Sequence, residues 1–409
     1  MVVLTGVATG LFGDFLMWIL FGVQHLAFNY RSGELQSAAE RASDLRRVLA
    51  LLIAGIFGAL AWYLIRGHWS GESTEIDDAI WSGDGRLGVR RSFATSVISE
   101  IVIGMGASIG REAAPKLMGG VSGNVLSSWA RLSPAQRRLL VACGGGAGLA
   151  AVYNVPLGGA LFTAEILMGS LALPTVLPAL ACSFIATATA WLYLPDHATY
   201  VDIPAFRFST SLFVWALVFG AIAGLVASGY VRLIGWASYH RASGRRMLVA
   251  FPTAMVVLGL IGIEYPELFG NGKDMAHSVF LGEGSLVLLG ALFVLKPLVT
   301  AMCLGTGGSG GLFTPTLSTG AVLGGLLGGA WSHLWAGVPL GAFAMVGAAA
   351  MVGAAMQAPL TALVLVLELT HSGYGIVVPL IAAVVIATAV TRQVDGYSIY
   401  SARLTARCP

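Results

Sequence analysis

Gly110-Arg111-Glu112-Ala113-Ala114-Pro115 closes one apolar run, and Gly310-Gly311-Leu312-Phe313-Thr314-Pro315 recurs 200 residues later in the same kind of setting. Glycine-rich, proline-bounded interruptions of this sort stop a helix and start another. Within lipid they are tolerated only where the freed backbone lines a cavity or meets a ligand. A helix that begins at such a break presents unpaired N–H groups and partial positive charge, so the ligand it favours is an anion.

The setting is a membrane. The 409 residues are 56% hydrophobic and 11% charged, with a mean hydropathy of +0.81, well under the roughly 25% charge of a soluble domain. Apolar stretches at about Leu4–Tyr30, Val48–Ile65, Val89–Gly110, Leu171–Leu194, Leu212–Trp236, Met247–Ile263, Leu286–Leu304 and Ile376–Val390 approach or exceed the ~20 residues that cross a bilayer. The others are shorter or broken by glycine, which predicts helices that stop partway. The first stretch lacks a cleavage site of small residues and is expected to be a retained helix. The loop after it mixes both signs (Arg31, Glu34, Glu40, Arg41, Asp44, Arg46, Arg47) and fixes no orientation. A formal charge of +3 with no basic, aromatic-laced run excludes a nucleic-acid partner. Cys143, Cys182, Cys303 and Cys408 lack metal-ligand spacing and are expected to pack, without disulfide, metal or cofactor.

The chain repeats itself. Asn154-Val155-Pro156-Leu157 with Glu165 matches Gln357-Ala358-Pro359-Leu360 with Glu368: the prolines stand 203 residues apart, and each glutamate follows its proline by nine. A small-residue helix precedes each copy, Gly144–Ala151 and Gly347–Ala355, a surface that lets helices approach closely in lipid. The expected fold is therefore an all-α polytopic bundle of many tilted, partly broken helices in two inverted repeats, 1–205 and 206–409. The binding site is expected at their interface.

Glu112 is the leading functional residue. An ionisable side chain deep in an apolar segment costs about 2.5–3.5 kcal/mol to insert; as a carboxylate at a positive helix end it can hold an anion's place, and once protonated it can leave. Ion pairing with Arg111 or Lys116 is the bland alternative. In the second break the backbone N–H groups of Leu312 and Phe313 are the expected ligands. Tyr400 offers a phenol near the chain end, either to an anion or as an interfacial anchor.

These pieces in this order resemble the CLC family of chloride channels and anion/proton exchangers. The likeness is carried by the motif at 110–115, the Asn-x-Pro-Leu hairpin at 154–157, the Gly-x-Phe-x-Pro type motif at 311–315, the Ala-Pro-Leu-Thr segment at 358–361 and Tyr-Ser-Ala at 400–402. The resemblance implies chloride transport, with Glu112 as gate and proton carrier. The amides of Leu312 and Phe313, with Tyr400, would be the anion ligands, framed by Gly110, Arg111, Pro115, Gly311 and Pro315. It also implies a homodimer with one anion pathway per subunit, a bound halide, and a prokaryotic type without C-terminal regulatory domains, in a bacterial inner membrane.

The chain departs from that pattern in three places. Ala113-Ala114 stand where a single glycine usually precedes proline. The family's serine-bearing anion loop falls on Ser70-Gly71-Glu72-Ser73-Thr74, so that Gly71 takes the ligand position and lacks a hydroxyl. Ile166 occupies the place of an internal glutamate found in exchangers, which leaves Glu165 or Glu100 as candidates for a proton pathway. A structural pairing of Glu100 with Arg90 or Arg91 is the alternative there. Three mechanisms follow: proton-coupled exchange, a passive chloride channel, and fluoride/proton exchange. From another class, Gly106-Ala107-Ser108-Ile109-Gly110 spells the G-x-S-x-G of a hydrolase elbow, but inside a spanning segment and without a partner histidine; the chain is not expected to be an enzyme.

Overall fold

The computed structural model describes residues 1–69, 74–81 and 83–404. Seventeen α-helices are described: α1 Val2–Phe28, α2 Leu35–Arg41, α3 Asp44–His68, α4 Ile76–Trp81, α5 Val89–Gly104, α6 Ala113–Trp129, α7 Pro134–Tyr153, α8 Pro156–Leu161, α9 Leu173–Ala190, α10 Thr210–Tyr239, α11 Met247–Glu264, α12 Lys273–Phe280, α13 Leu286–Gly305, α14 Phe313–Ser332, α15 Leu340–Met356, α16 Pro359–Thr370 and α17 Val377–Val394. Their lengths run from 6 to 30 residues. Seven are long and apolar enough to cross a membrane, and the chain is an integral membrane protein. No strand is described; the sole β pairing among the described residues is one isolated bridge.

Helix order recurs. α1, α3, α4, α5, α6, α7, α8 and α9 are followed, after α10 opens the second set, by α11 to α17 in the matching succession. Packing recurs with it: α6 lies on α7 as α14 lies on α15, and α1 on α9 as α10 on α17. The centre belongs to the small-residue helices. Every residue of α7 from Leu140 to Tyr153 is buried, and every residue of α15 from Gly341 to Met356. Glycine is required where these helices cross: a Cβ on Gly119 or Gly144 would strike the other's backbone, and Gly320 and Gly347 face each other in the same way.

The Asn-x-Pro and Gln-x-Pro signals are reversals. Asn154 ends α7 with φ 56° and Gln357 ends α15 with φ 55°, both left-handed. Two residues on, Pro156 and Pro359 open α8 and α16 at the first helical position, where a missing N–H costs nothing. α8 then runs into a π-turn, Phe162–Leu167.

Candidate functional site

Two helix starts meet at the breaks. α5 ends at Gly104 and α6 begins after Glu112, while α13 ends at Gly305 and α14 begins after Leu312. Gly110 and Gly311 join the two interruptions by exchanging both backbone bonds, at 2.8 and 2.6 Å. On the second break, the carbonyl end is covered by cations: Arg66 and Arg241 each donate to the Gly307 carbonyl at 2.9 Å, and Arg241 also to Gly308. The amide end is left to face inward.

There it meets Glu112, which is 4% exposed. Its Oε1 accepts the Phe313 amide at 2.7 Å, and Oε2 accepts the Tyr153 hydroxyl at 3.2 Å and the Thr314 hydroxyl at 3.3 Å. Tyr153 and Thr314 are themselves bonded at 2.6 Å, and Asn271 donates to the Tyr153 hydroxyl at 3.4 Å. A buried carboxylate thus sits at the start of one helix and on the first amide of another. Hydrogen bonds to a charged group are each worth about 1.5–3 kcal/mol.

Three cavities lie along this line. Beyond Asn271, one of about 110 Å³ is lined by Arg111, Lys273, Asp274 and Tyr30; the Arg111 guanidinium stacks 5.0 Å from the centre of the Tyr153 ring. On the other side of the carboxylate is a space of about 50 Å³ lined by Glu112, Leu312, Phe313, Lys116, Phe162 and Tyr400. That volume holds a few waters or one dehydrated halide. Past Tyr400, a third of about 260 Å³ is lined by Glu75, Asp77, Arg241 and Arg403.

The expected residues therefore converge, with adjustments. Gly110, Arg111, Pro115, Gly311 and Pro315 frame the breaks. Of the two amides, Phe313 carries the bond, and Leu312, the residue capping α14, lines the cavity beside it. Tyr400 lines the cavity from the opposite end, but its hydroxyl is directed at the Met356 sulphur at 3.8 Å and its ring stands edge-on to Phe162 at 5.8 Å. Gly71, like Ser70, Ser73 and Cys408, lies outside the described residues.

The two acids differ sharply. Glu165 is tied to the start of α16: it accepts the amides of Leu360 and Thr361 at 3.2 and 2.7 Å and the Thr361 hydroxyl at 2.6 Å. A carboxylate at a helix N-terminus acts as a cap, and that is the contact Glu165 makes here. Ile166 beside it is buried in the π-turn. Glu100, in α5, is wholly buried, and among the described residues its carboxyl oxygens have no hydrogen-bond partner. Its pairing with Arg90 or Arg91 is not made among the described residues.

Ser108 lies in an irregular segment after a helix and not at a strand end. Its hydroxyl accepts from Lys296 at 2.8 Å, and both side chains are 0% exposed, so a substrate carbonyl has no approach to this pair. Cys143, Cys182 and Cys303 are buried free thiols. Sequence reasoning missed Tyr153, Thr314 and Asn271. Two of them had a local signal: Tyr153 is the last residue of α7 before the Asn-x-Pro reversal, and Thr314 sits inside the second break.

A bundle of spanning helices closed around the buried Glu112 carboxylate and two interrupted helices is the architecture of a membrane protein with a polar interior. Residues 52–392 match the voltage gated chloride channel family, and the chain belongs to it. It is 33% identical over 341 residues to a putative chloride channel protein, ClcB-like, of Ralstonia nicotianae, covering 80% of this chain and 78% of that one. It is 29% identical over 384 residues to the voltage-gated ClC-type chloride channel ClcB of Salmonella typhi, covering 90% and 89%. Among solved structures it resembles a slow cyanobacterial chloride/proton antiporter (TM-score 0.85, 21% identity, 98% of this chain and 95% of that one). It also resembles a CLC-type fluoride/proton antiporter (TM-score 0.76, 20% identity, 98% and 96%). At those identities the likeness carries the fold.

Proposed function

We propose that this chain moves chloride across the membrane in exchange for protons, with Glu112 as gate and proton carrier. One observation carries the reading: the Glu112 carboxylate occupies the Phe313 amide at 2.7 Å, on the wall of a cavity the size of one dehydrated ion. Ionised, it blocks; protonated, it loses its hold on the amide, swings clear and yields the place to an anion. Tyr153 and Asn271 connect the carboxylate by hydrogen bonds to the cavity beside Arg111. Tyr400 closes the other end. The protein works without a cofactor, its cargo being the halide itself and protons.

Passive conduction is the second reading, favoured by Ile166 where a relay would want an acid. Fluoride exchange is the third, favoured by the absent hydroxyl at Gly71. Purified protein in liposomes under a chloride gradient, followed with a pH electrode, separates them. Uphill proton movement driven by chloride establishes exchange; rapid chloride efflux without it establishes a channel; and proton movement driven by fluoride but not by chloride establishes the third.

The rest of the reading is architectural. Residues 1–205 and 206–409 form two repeats of inverted topology. The reciprocal placing of Glu165 on α16 and Glu368 on α8, where it accepts the amides of Leu157 and Gly158 at 3.0 and 2.6 Å, supports it. Two copies pair through the hairpins Pro156–Met168 and Pro359–Leu369, whose Leu157 and Leu360 are exposed. Each copy keeps its own pathway, in a bacterial inner membrane. Cross-linking between these hairpins tests the pairing.

A further inference from the structure

The central cavity has an unusual wall. Several groups that border it spend their hydrogens elsewhere: the Phe313 amide on Glu112, Ser99 on the Ser309 carbonyl at 2.6 Å, Ser96 toward the Ala114 carbonyl at 3.4 Å, and Tyr400 toward Met356. Lys116, in the first turn of α6, is different. Its ammonium lies 4.7 Å from the centre of the Tyr400 ring and 5.6 Å from that of Phe162, and its side chain is 14% exposed. Its contacts with Asp77 are 3.4 Å to Oδ1 and 3.3 Å to Oδ2, longer than the ~2.7–2.9 Å of a tight ion pair.

An ammonium carries three N–H groups. Here both hydrogen-bond contacts go to one carboxylate, and the ring faces hold the charge without accepting a directed bond. Among the described residues that leaves one N–H over, on a side chain that lines the cavity. We propose that Lys116 is a side-chain ligand for the permeating anion, shared between that anion and Asp77, and that it supplies a positive contact at the Tyr400 end of the cavity, which Arg403 also lines. This rests on the chloride-transport reading above. The ion would lie between two donors, the α14 amide once Glu112 has left it and the Lys116 ammonium. Asp77 sets how much of the ammonium's charge the ion receives.

Titration calorimetry of the purified protein with chloride and bromide tests this, alongside chloride flux in liposomes. Lys116→Met is expected to weaken halide binding by roughly tenfold or more, the worth of a lost bond to a charged group, and Lys116→Arg to restore most of it. Asp77→Asn is expected to tighten binding, because the ammonium no longer divides its charge; it reads the same claim if Lys116→Met fails to yield monodisperse protein. Halide affinity within twofold of wild type in both Lys116→Met and Asp77→Asn, with wild type itself binding and transporting chloride, overturns the assignment. A wild type that neither binds nor moves chloride sinks instead the transport reading on which it rests.

Discussion

Gly110 and Gly311 lock the two interrupted helices together through a reciprocal pair of backbone bonds, and neither has room for a side chain. A Cβ on either glycine would fall on the carboxyl group of Glu112. The glycines therefore shape the seat in which that carboxylate rests.

Gly311→Ala should loosen the gate. Overpacking costs about 1–3 kcal/mol, the same order as one charge-assisted bond, and the carboxyl is the far end of a flexible chain. Glu112 is expected to leave the Phe313 amide in a substantial fraction of molecules. Liposome assays should then give faster chloride efflux and fewer protons moved per chloride than wild type.

Tyr153→Phe removes a donor to Glu112 and keeps the ring under Arg111. A loss of about 1.5 kcal/mol from the ionised, seated state should let chloride compete roughly tenfold better, read as a lower apparent dissociation constant for chloride in flux assays.

Glu165→Ala should cost stability and leave coupling alone. The variant strips the cap from α16, a loss of about 1–2 kcal/mol by the usual scale of helix caps. It should lower the melting temperature in detergent while the proton-to-chloride ratio stays at the wild-type value. A changed ratio would return Glu165 to the proton route.

pH acts at a second place, outside the spanning helices. Both nitrogens of His277 face acceptors, the Glu34 carboxylate and the Val201 carbonyl, each at 2.8 Å, so both must carry hydrogens. The bond to Glu34 raises His277 above its ordinary 6.5 against the pull of burial. Burial alone would raise Glu34, but His277 and Lys273 outweigh it and hold the carboxyl below 4.5. The histidine's contribution is complete below pH 6.5 and fades as pH climbs through its raised value; the glutamate's is complete above 4.5 and fades as pH falls through its lowered one. Thermal melting from pH 4 to 9 should show wild type losing stability on the alkaline side more steeply than His277→Gln.

Much of this was legible in the residues. Broken helices follow from glycine and proline at 110–115 and 310–315, and Glu112 stands out because an acid in lipid is expensive. The matching hairpins show through Pro156 and Pro359. What the chain order hides is what the fold brings across from elsewhere. Tyr153 reaches Glu112 from the end of α7 and Asn271 reaches Tyr153 from the turn before α12, and Lys116 reads as an ordinary charge until Phe162 and Tyr400 are folded beneath it. The setting of Glu165 was hidden for the converse reason: spacing to a proline says where a carboxylate is, and only the packing of α16 against it says which amides it meets.

Competition between an acid and an anion for one amide is the core of the account. Bromide carries an anomalous signal, so crystals of Glu112→Ala grown in bromide read that competition directly. A bromide peak within hydrogen-bond distance of the Phe313 amide nitrogen, weak or missing in wild type at the same concentration, is the expected result. An empty site there at saturating bromide, with the two interrupted helices unchanged, would contradict it.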